Sequence, residues 1–153
     1  MQIFLSCVKE KASKRCKAYQ MYMPSSLFSK CYKYAKRKNP DKLYILSAKY
    51  FLLSPDEYID PYNKTLNNFD MDEKKEWAEE VLKKMKDENI DFNEKTLFLC
   101  GDNYICFLKD KFPNHENLFD GKGIGEILHW LDKENGDLNE SLSDFLKNKL
   151  TVE

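Results

Sequence analysis

Leu43–Tyr62 reads LYILSAKYFLLSPDEYIDPY, and the fold turns on its first half. Leu43, Tyr44, Ile45 and Leu46 form a short apolar run of the kind that makes a strand buried on both faces. Ser47-Ala48-Lys49 follows at once, and polar groups at the carboxyl end of a buried strand are where open α/β sheets hold ligands. Behind them Pro55, Asp56, Asp60, Pro61 and Tyr62 make a loop with two stiff points and several hydrogen-bonding groups. The stretch reads as a central strand, a Ser/Lys turn and an Asp/Tyr loop that together form one wall of a site.

On the N-terminal side, Gln2–Val8 (QIFLSCV) is a first buried strand ending in Ser6 and Cys7. Lys9–Met23 is basic, interleaved with Tyr19 and Tyr22, and has no apolar period, so it reads as a long loop over the strand ends. Loops of that length in compact domains are usually lids or binding loops. Ser25 or Ser26 then caps a helix carrying Leu27, Phe28, Cys31, Tyr32 and Ala35, which Pro40 and Asp41 stop.

On the C-terminal side, residues 63–70 continue the loop, and Asp72 caps a helix over about Glu73–Glu88 with the stripe Trp77, Ala78, Val81, Leu82 and Met85. Thr96–Cys100 (TLFLC) is a third strand, ended by Gly101-Asp102-Asn103-Tyr104. A short helical pattern spans Ile105–Phe112, and a weak fourth strand Asn117–Asp120. Gly121-Lys122-Gly123-Ile124-Gly125 opens a helix through Glu126, Ile127, Trp130 and Leu131, and Leu138–Leu150 has the stripe of a last helix. Strands alternating with helices predict a single three-layer α/β domain over residues 1–153, with a mostly parallel sheet of about four strands and helices on both faces.

Composition narrows the class. A chain of 153 residues, 42% apolar and 14% aromatic, suits one globular domain and excludes a disordered tract. No apolar run has bilayer length and Met1–Val8 lacks the flanks of a signal peptide, so the expectation is a cytoplasmic protein with no membrane partner. Five cysteines without regular spacing suit reduced thiols, and two histidines with no CxxC pair predict neither a metal nor a cofactor. The net charge of −1 conceals a split: residues 1–49 sum to +10 and the remainder to −11. That split suggests a basic face for phosphates on an acidic body.

Several groups could carry chemistry. Gly101, Gly121, Gly123 and Gly125 follow predicted strands, where glycine permits positive φ and close backbone approach, and GKGIG at a helix start could hold an anion. It matches neither a Walker nor a dinucleotide pattern. Tyr104 could stack on a planar ring, with Asn103 or Asp102 on its edge. Ser6 and Cys7 stand where a nucleophile would at a strand end, without a GxSxG elbow, and His129 reads as a core histidine in an apolar helix. Asp56, Glu57 and Asp60, flanked by prolines, are the acid/base candidates, since burial near a strand end would raise a carboxylate pKa. Ser47 and Lys49, two apart on an extended chain, are expected to point the same way and to meet a ligand oxygen together.

These motifs resemble a family of small bacterial and phage proteins. Its members share a strand ending in Ser/Cys, an SAK-x-GLL-x-P segment with Asp-x-x-Ile-x-Pro-Tyr, a later Gly-x-x-Tyr, and a closing G-x-GIGE-x-x-x-WL. Here the four blocks are Ser6-Cys7, Ser47–Tyr62, Gly101–Tyr104 and Gly121–Leu131 (with Glu126), so the likeness spans nearly the whole chain. One departure is Phe51, which stands where the family has the glycine of GLL and bears on how closely a ligand can approach that backbone. The layout is similar to the uracil-DNA glycosylase-like superfamily and, more loosely, to a peroxide-stress protein family that binds DNA. The GQDPY and HPSP motifs of uracil-DNA glycosylases are absent, so a glycosidase of this kind has replaced its catalytic groups.

The reading expects an enzyme that breaks or exchanges an N-glycosidic bond in a nucleoside or nucleic acid. Asp56, Asp60 and Lys49 are its catalytic groups, and Ser6, Cys7, Ser47, Tyr62, Gly101, Asn103, Tyr104, Gly121, Gly123, Gly125 and Glu126 its binding groups. The rival is a non-catalytic binder of nucleic acid or a signalling nucleotide. Its partner is in either case a nucleoside, nucleotide or nucleic acid, and the sequence leaves the oligomeric state open.

Overall fold

The computed structural model describes residues 1–137. The helix expected over Leu138–Leu150 lies outside the described residues.

The middle of the sheet is the first strand, β1 (Gln2–Ser6), rather than the strand of the Leu43–Tyr62 stretch. Ile3, Phe4 and Leu5 are fully buried, as a strand covered on both faces must be. β2 (Cys16–Lys17) and helix α1 (Ala18–Tyr22) follow, within the segment that reads as loop. Helix α2 (Ser26–Arg37) is capped by Ser25, whose Oγ accepts the Phe28 N–H at 3.1 Å, and Asn39 at φ 49° turns the chain out of it. β3 (Lys42–Ser47) lies parallel to β1. Only its Ile45, Leu46 and Ser47 are fully covered, while Leu43 and Tyr44 are half-buried.

A turn at residues 48–50 then reverses the chain into β4 (Phe51–Leu53), antiparallel to β3 and absent from the sequence expectation. Phe51 holds φ 68°, a conformation that favours glycine. β5 (Tyr58–Ile59) pairs with β2 in a separate two-stranded ladder. The long helix α3 (Met71–Asp87) starts at Asp70, not Asp72. The Asp70 carboxylate accepts the Glu73 N–H at 2.8 Å and the Glu73 carboxylate accepts the Asp70 N–H at 3.2 Å.

β6 (Thr96–Leu99) lies parallel to β1 on its other side. The short α4 (Asp102–Ile105) follows, then the edge strand β7 (His115–Asn117), and α5 (Ile124–Glu134) ends the described core. The sheet order is β4-β3-β1-β6-β7, five strands where about four were expected. The chain steps from β1 to β3 in one direction and returns past β1 to β6 in the other. Right-handed crossovers therefore put α2 and α3 on opposite faces. α2 packs on β1 and against α5, and α3 packs on β4, giving three layers. Across the sheet Phe4 stacks on its register partners Tyr44 and Phe98, at 5.9 and 5.5 Å between ring centroids, and Phe112 meets Phe4 edge-on at 5.6 Å. Among the described residues no helix is long and apolar enough to cross a membrane.

Candidate functional site

Strand order reverses at β1, so the carboxyl ends of β1, β3 and β6 meet at the switch point where ligands of such sheets bind. The structure fills this rim with hydroxyl and thiol groups. Cys7, one residue past β1, is nearly covered, and its Sγ lies 3.1 Å from the Tyr104 hydroxyl of α4. Ser47, the last residue of β3, is fully buried. Its Oγ accepts the backbone N–H groups of Lys49 at 3.3 Å and Tyr50 at 3.0 Å, and it is hydrogen bonded to the Tyr62 hydroxyl at 2.9 Å. Tyr62 is in turn hydrogen bonded to Tyr22 of α1 at 2.6 Å. Trp77 ties the two groups together: its indole N–H donates to the Ser47 carbonyl at 2.9 Å and its ring meets Tyr104 edge-on at 5.6 Å. A buried tryptophan N–H needs such a partner, so this side chain fixes both the end of β3 and the ring beside Cys7.

Residues 9–17 form a strap over this array. It is held by the β2–β5 ladder, by Ala18 N–H to the Glu57 carbonyl at 2.7 Å, by Tyr19 N–H to the Pro55 carbonyl at 3.0 Å and by Ala12 N–H to the Met21 carbonyl at 2.8 Å. Lys11 turns inward, its ammonium 4.5 Å from the centre of the Tyr62 ring. Burial lowers the pKa of Lys11, against the opposing pull of Cys7 and Glu10. Burial likewise raises the pKa of Tyr22, Tyr62 and Tyr104, the Cys7 charge adding to each, so the three phenols stay protonated.

The residues singled out from the sequence divide accordingly. Cys7, Ser47, Tyr62 and Tyr104 come together. Ser6 does not join them: its side chain alternates to the other face of β1 and lines a void of about 10 Å³ beside Phe28 and Cys31. Cys31 there is an apolar-site thiol, pushed up to about 12 by burial. Lys49 is exposed, with its ammonium 5.3 Å from the Tyr50 ring. β3 ends at Ser47, so the alternation expected to align Ser47 with Lys49 stops one residue too early. Tyr50 still links Lys49 to the array, since its ring meets Tyr62 edge-on at 5.5 Å.

Asp56 and Asp60 are exposed instead of buried, and both belong to the strap's clamp. Arg15 reaches Asp60 at 3.1 Å and Lys17 reaches Asp56 at 3.7 Å. Asn103 bridges helices, accepting from Lys74 at 2.8 Å and donating to Asn67 at 2.7 Å. Of the four glycines expected at positive φ only Gly121 has it, at 73°. Gly101 and Gly123 sit at −65° and −77°, and Gly125 lies inside α5. The anion site expected at the start of α5 is answered from within, because the Glu126 carboxylate accepts the Gly123 N–H at 3.5 Å. His129 is exposed rather than a core residue.

Tyr22 and Lys11 belong to the basic segment that the sequence marks as a lid or binding loop, without placing either beside Ser47 and Tyr62, and Trp77 reads from the sequence only as part of a helix stripe. The signal for Trp77 was its need for a hydrogen-bond acceptor once buried.

Residues 3–133 match the family of unknown function DUF6884. The chain belongs to that family. No curated protein and no solved structure matches it. All four sequence blocks, from Ser6-Cys7 to Gly121–Leu131, fall within the matched span.

Proposed function

We propose that this DUF6884 chain is an enzyme acting on a nucleobase-bearing ligand, breaking or exchanging its N-glycosidic bond at the carboxyl rim of β1 and β3. The observation that supports it is the array itself. The hydroxyls of Tyr104, Ser47, Tyr62 and Tyr22 gather with the Cys7 side chain at the position where sheets of this order take ligands, and Lys11 lies over the Tyr62 ring. Such chemistry needs a donor to the departing base and an anion for the sugar cation. Lys11, whose pKa burial lowers, and the Tyr62 hydroxyl can give the donor. Asp60 is the carboxylate this reading assigns to the sugar cation, and its backbone carbonyl is joined to the array by the Tyr50 hydroxyl, which donates to it at 3.2 Å. Its carboxylate is held by Arg15 of the strap, so this role requires that pair to open.

A specific observation favours a second reading. Because Asp56 and Asp60 are exposed in ion pairs, no carboxylate stands in the array as described, which suits a non-catalytic binder using Tyr50 and Tyr62 as stacking surfaces and the strap lysines for phosphate. Incubation with nucleosides, modified nucleosides and DNA, followed by mass spectrometry, separates the two. Released free base supports the enzyme, and a retained intact ligand supports the binder.

A further inference from the structure

The hydrogen-bond arithmetic of the array narrows what the site takes. Ser47 Oγ already accepts two backbone N–H groups, which uses both of its lone pairs. Its proton must therefore go to Tyr62. Ser47, Tyr62 and Tyr22 hold three protons, but the trio has only two hydroxyl–hydroxyl contacts, Ser47–Tyr62 and Tyr62–Tyr22. One phenol proton, on Tyr22 or on Tyr62, has no acceptor among the described residues. Tyr22 is fully covered and Tyr62 half-buried, so a surplus donor on Tyr22 is expensive to leave unmet, and one on Tyr62 belongs to the ring that Lys11 faces.

The group next to it is a cation. Lys11 donates to the Lys9 carbonyl at 3.2 Å and faces the Tyr62 ring, and among the described residues no carboxylate lies within ion-pairing distance of it. Arg15 and Lys17 on the same strap have carboxylate partners; Lys11, the one turned inward, does not. A half-buried ammonium beside a surplus O–H makes a face that donates and carries positive charge. Its complement is an anionic oxygen.

We infer that this face binds a phosphate oxygen, and hence that the ligand of the site is a nucleotide, free or within a nucleic-acid strand, rather than an uncharged nucleoside or base. The inference rests on the nucleobase reading only for the remainder of the ligand; the phosphate contact stands on Lys11, Tyr62 and Tyr22 alone.

The test is equilibrium binding, by calorimetry, of three probes: a nucleoside 5′-monophosphate, the matching nucleoside and inorganic phosphate. The proteins are the natural chain, Lys11→Met and Lys11→Arg. The monophosphate should bind roughly tenfold or more tightly than the nucleoside. Lys11→Met should remove that advantage, bringing the monophosphate down to the affinity of the nucleoside for the same variant, and Lys11→Arg should restore most of it. Circular dichroism of each variant shows that the fold is kept. Equal binding of monophosphate and nucleoside, or a phosphate advantage that survives Lys11→Met, overturns the inference and leaves the nucleobase reading intact. Inorganic phosphate that binds in a Lys11-dependent way, with no response to the nucleoside, supports the phosphate contact but overturns its assignment to a nucleotide, and with it the nucleobase reading. Silence from all three probes overturns both.

Discussion

Two basic regions in the first third of the chain meet opposite fates. Helix α2 carries Lys30, Lys33, Lys36, Arg37 and Lys38, and the strap carries Lys9, Lys11, Lys14, Arg15 and Lys17. On α2 and its cap residue Lys38, three of the five side chains meet α5 and the residues after it, two of them at carboxylates. Lys30 pairs with Asp132, Lys33 reaches Asp137 at 2.7 Å, and Arg37 donates to the Glu134 carbonyl at 3.1 Å. On the strap only Arg15 and Lys17 have carboxylate partners, and both pairs are exposed; Lys9 and Lys14 face solvent and Lys11 faces the array. Each region thus has carboxylate partners for two of its five cations, but those of α2 tie it to α5 and the residues after it, whereas those of the strap hold it over the array, where Lys11 turns inward.

Replacing charge in each region tests this most directly. Changing Lys9, Lys11 and Lys14 together to Gln should weaken binding of a single-stranded polyanion by roughly tenfold or more. Its salt dependence should flatten by about 0.7 in slope for each phosphate that is no longer neutralised. The matching change of Lys33, Lys36 and Arg37 should alter affinity less than about twofold. Fluorescence anisotropy over a salt series reads both, and equal losses would erase the distinction. A smaller effect falls on stability. Asp132→Ala leaves the part-buried Lys30 without its partner and should cost about 1–2 kcal/mol in urea unfolding. Asp60→Asn, on the exposed strap pair, should leave the urea midpoint unmoved.

The turn that aims α5 at α2 gives the next step down. Gly121→Ala, at φ 73°, should cost about 1 kcal/mol. Gly125→Ala, inside α5 with no atom within 4 Å of the added methyl, should be neutral or raise the melting temperature.

The smallest effect is in alkali. Burial raises the pKa of Tyr22, Tyr62 and Tyr104 in the folded chain, so the native state holds protons that the unfolded chain releases from about pH 10 upward. Stability from these groups is complete below that pH and is lost as pH rises through it. Lys11, with its pKa lowered, works weakly in the other sense. A series of thermal melts across this range should fall less steeply in Tyr62→Phe, and an unchanged slope would place the buried titration elsewhere.

The sheet was readable because β1, β3 and β6 are short apolar runs that no helix period explains, and such runs state their own burial. β4 and the β2–β5 ladder were not, because two- and three-residue strands have too few positions to show alternation and depend on the partner they meet. The same limit governs the rim. Ser47, Tyr62 and Tyr104 follow runs whose ends can be read, so their gathering was legible. The places of Lys49 and Asp60 hang on a turn at residues 48–50 and on a ladder to a distant strap, and neither leaves a periodic trace.

Phe51 has a consequence for how this sequence can drift. A non-glycine residue at φ 68° carries a strain of about 1–2 kcal/mol that glycine would not, so the reversal into β4 does not need the phenyl ring. The ring instead lines a cleft of about 270 Å³ with Ala48, Phe69 and Trp77, beneath Glu73, Glu76 and Glu80 of α3. A relative with glycine at this place would keep the same hairpin and lose that wall. The position is therefore one where the shape of the surface can vary from member to member while the topology is inherited unchanged.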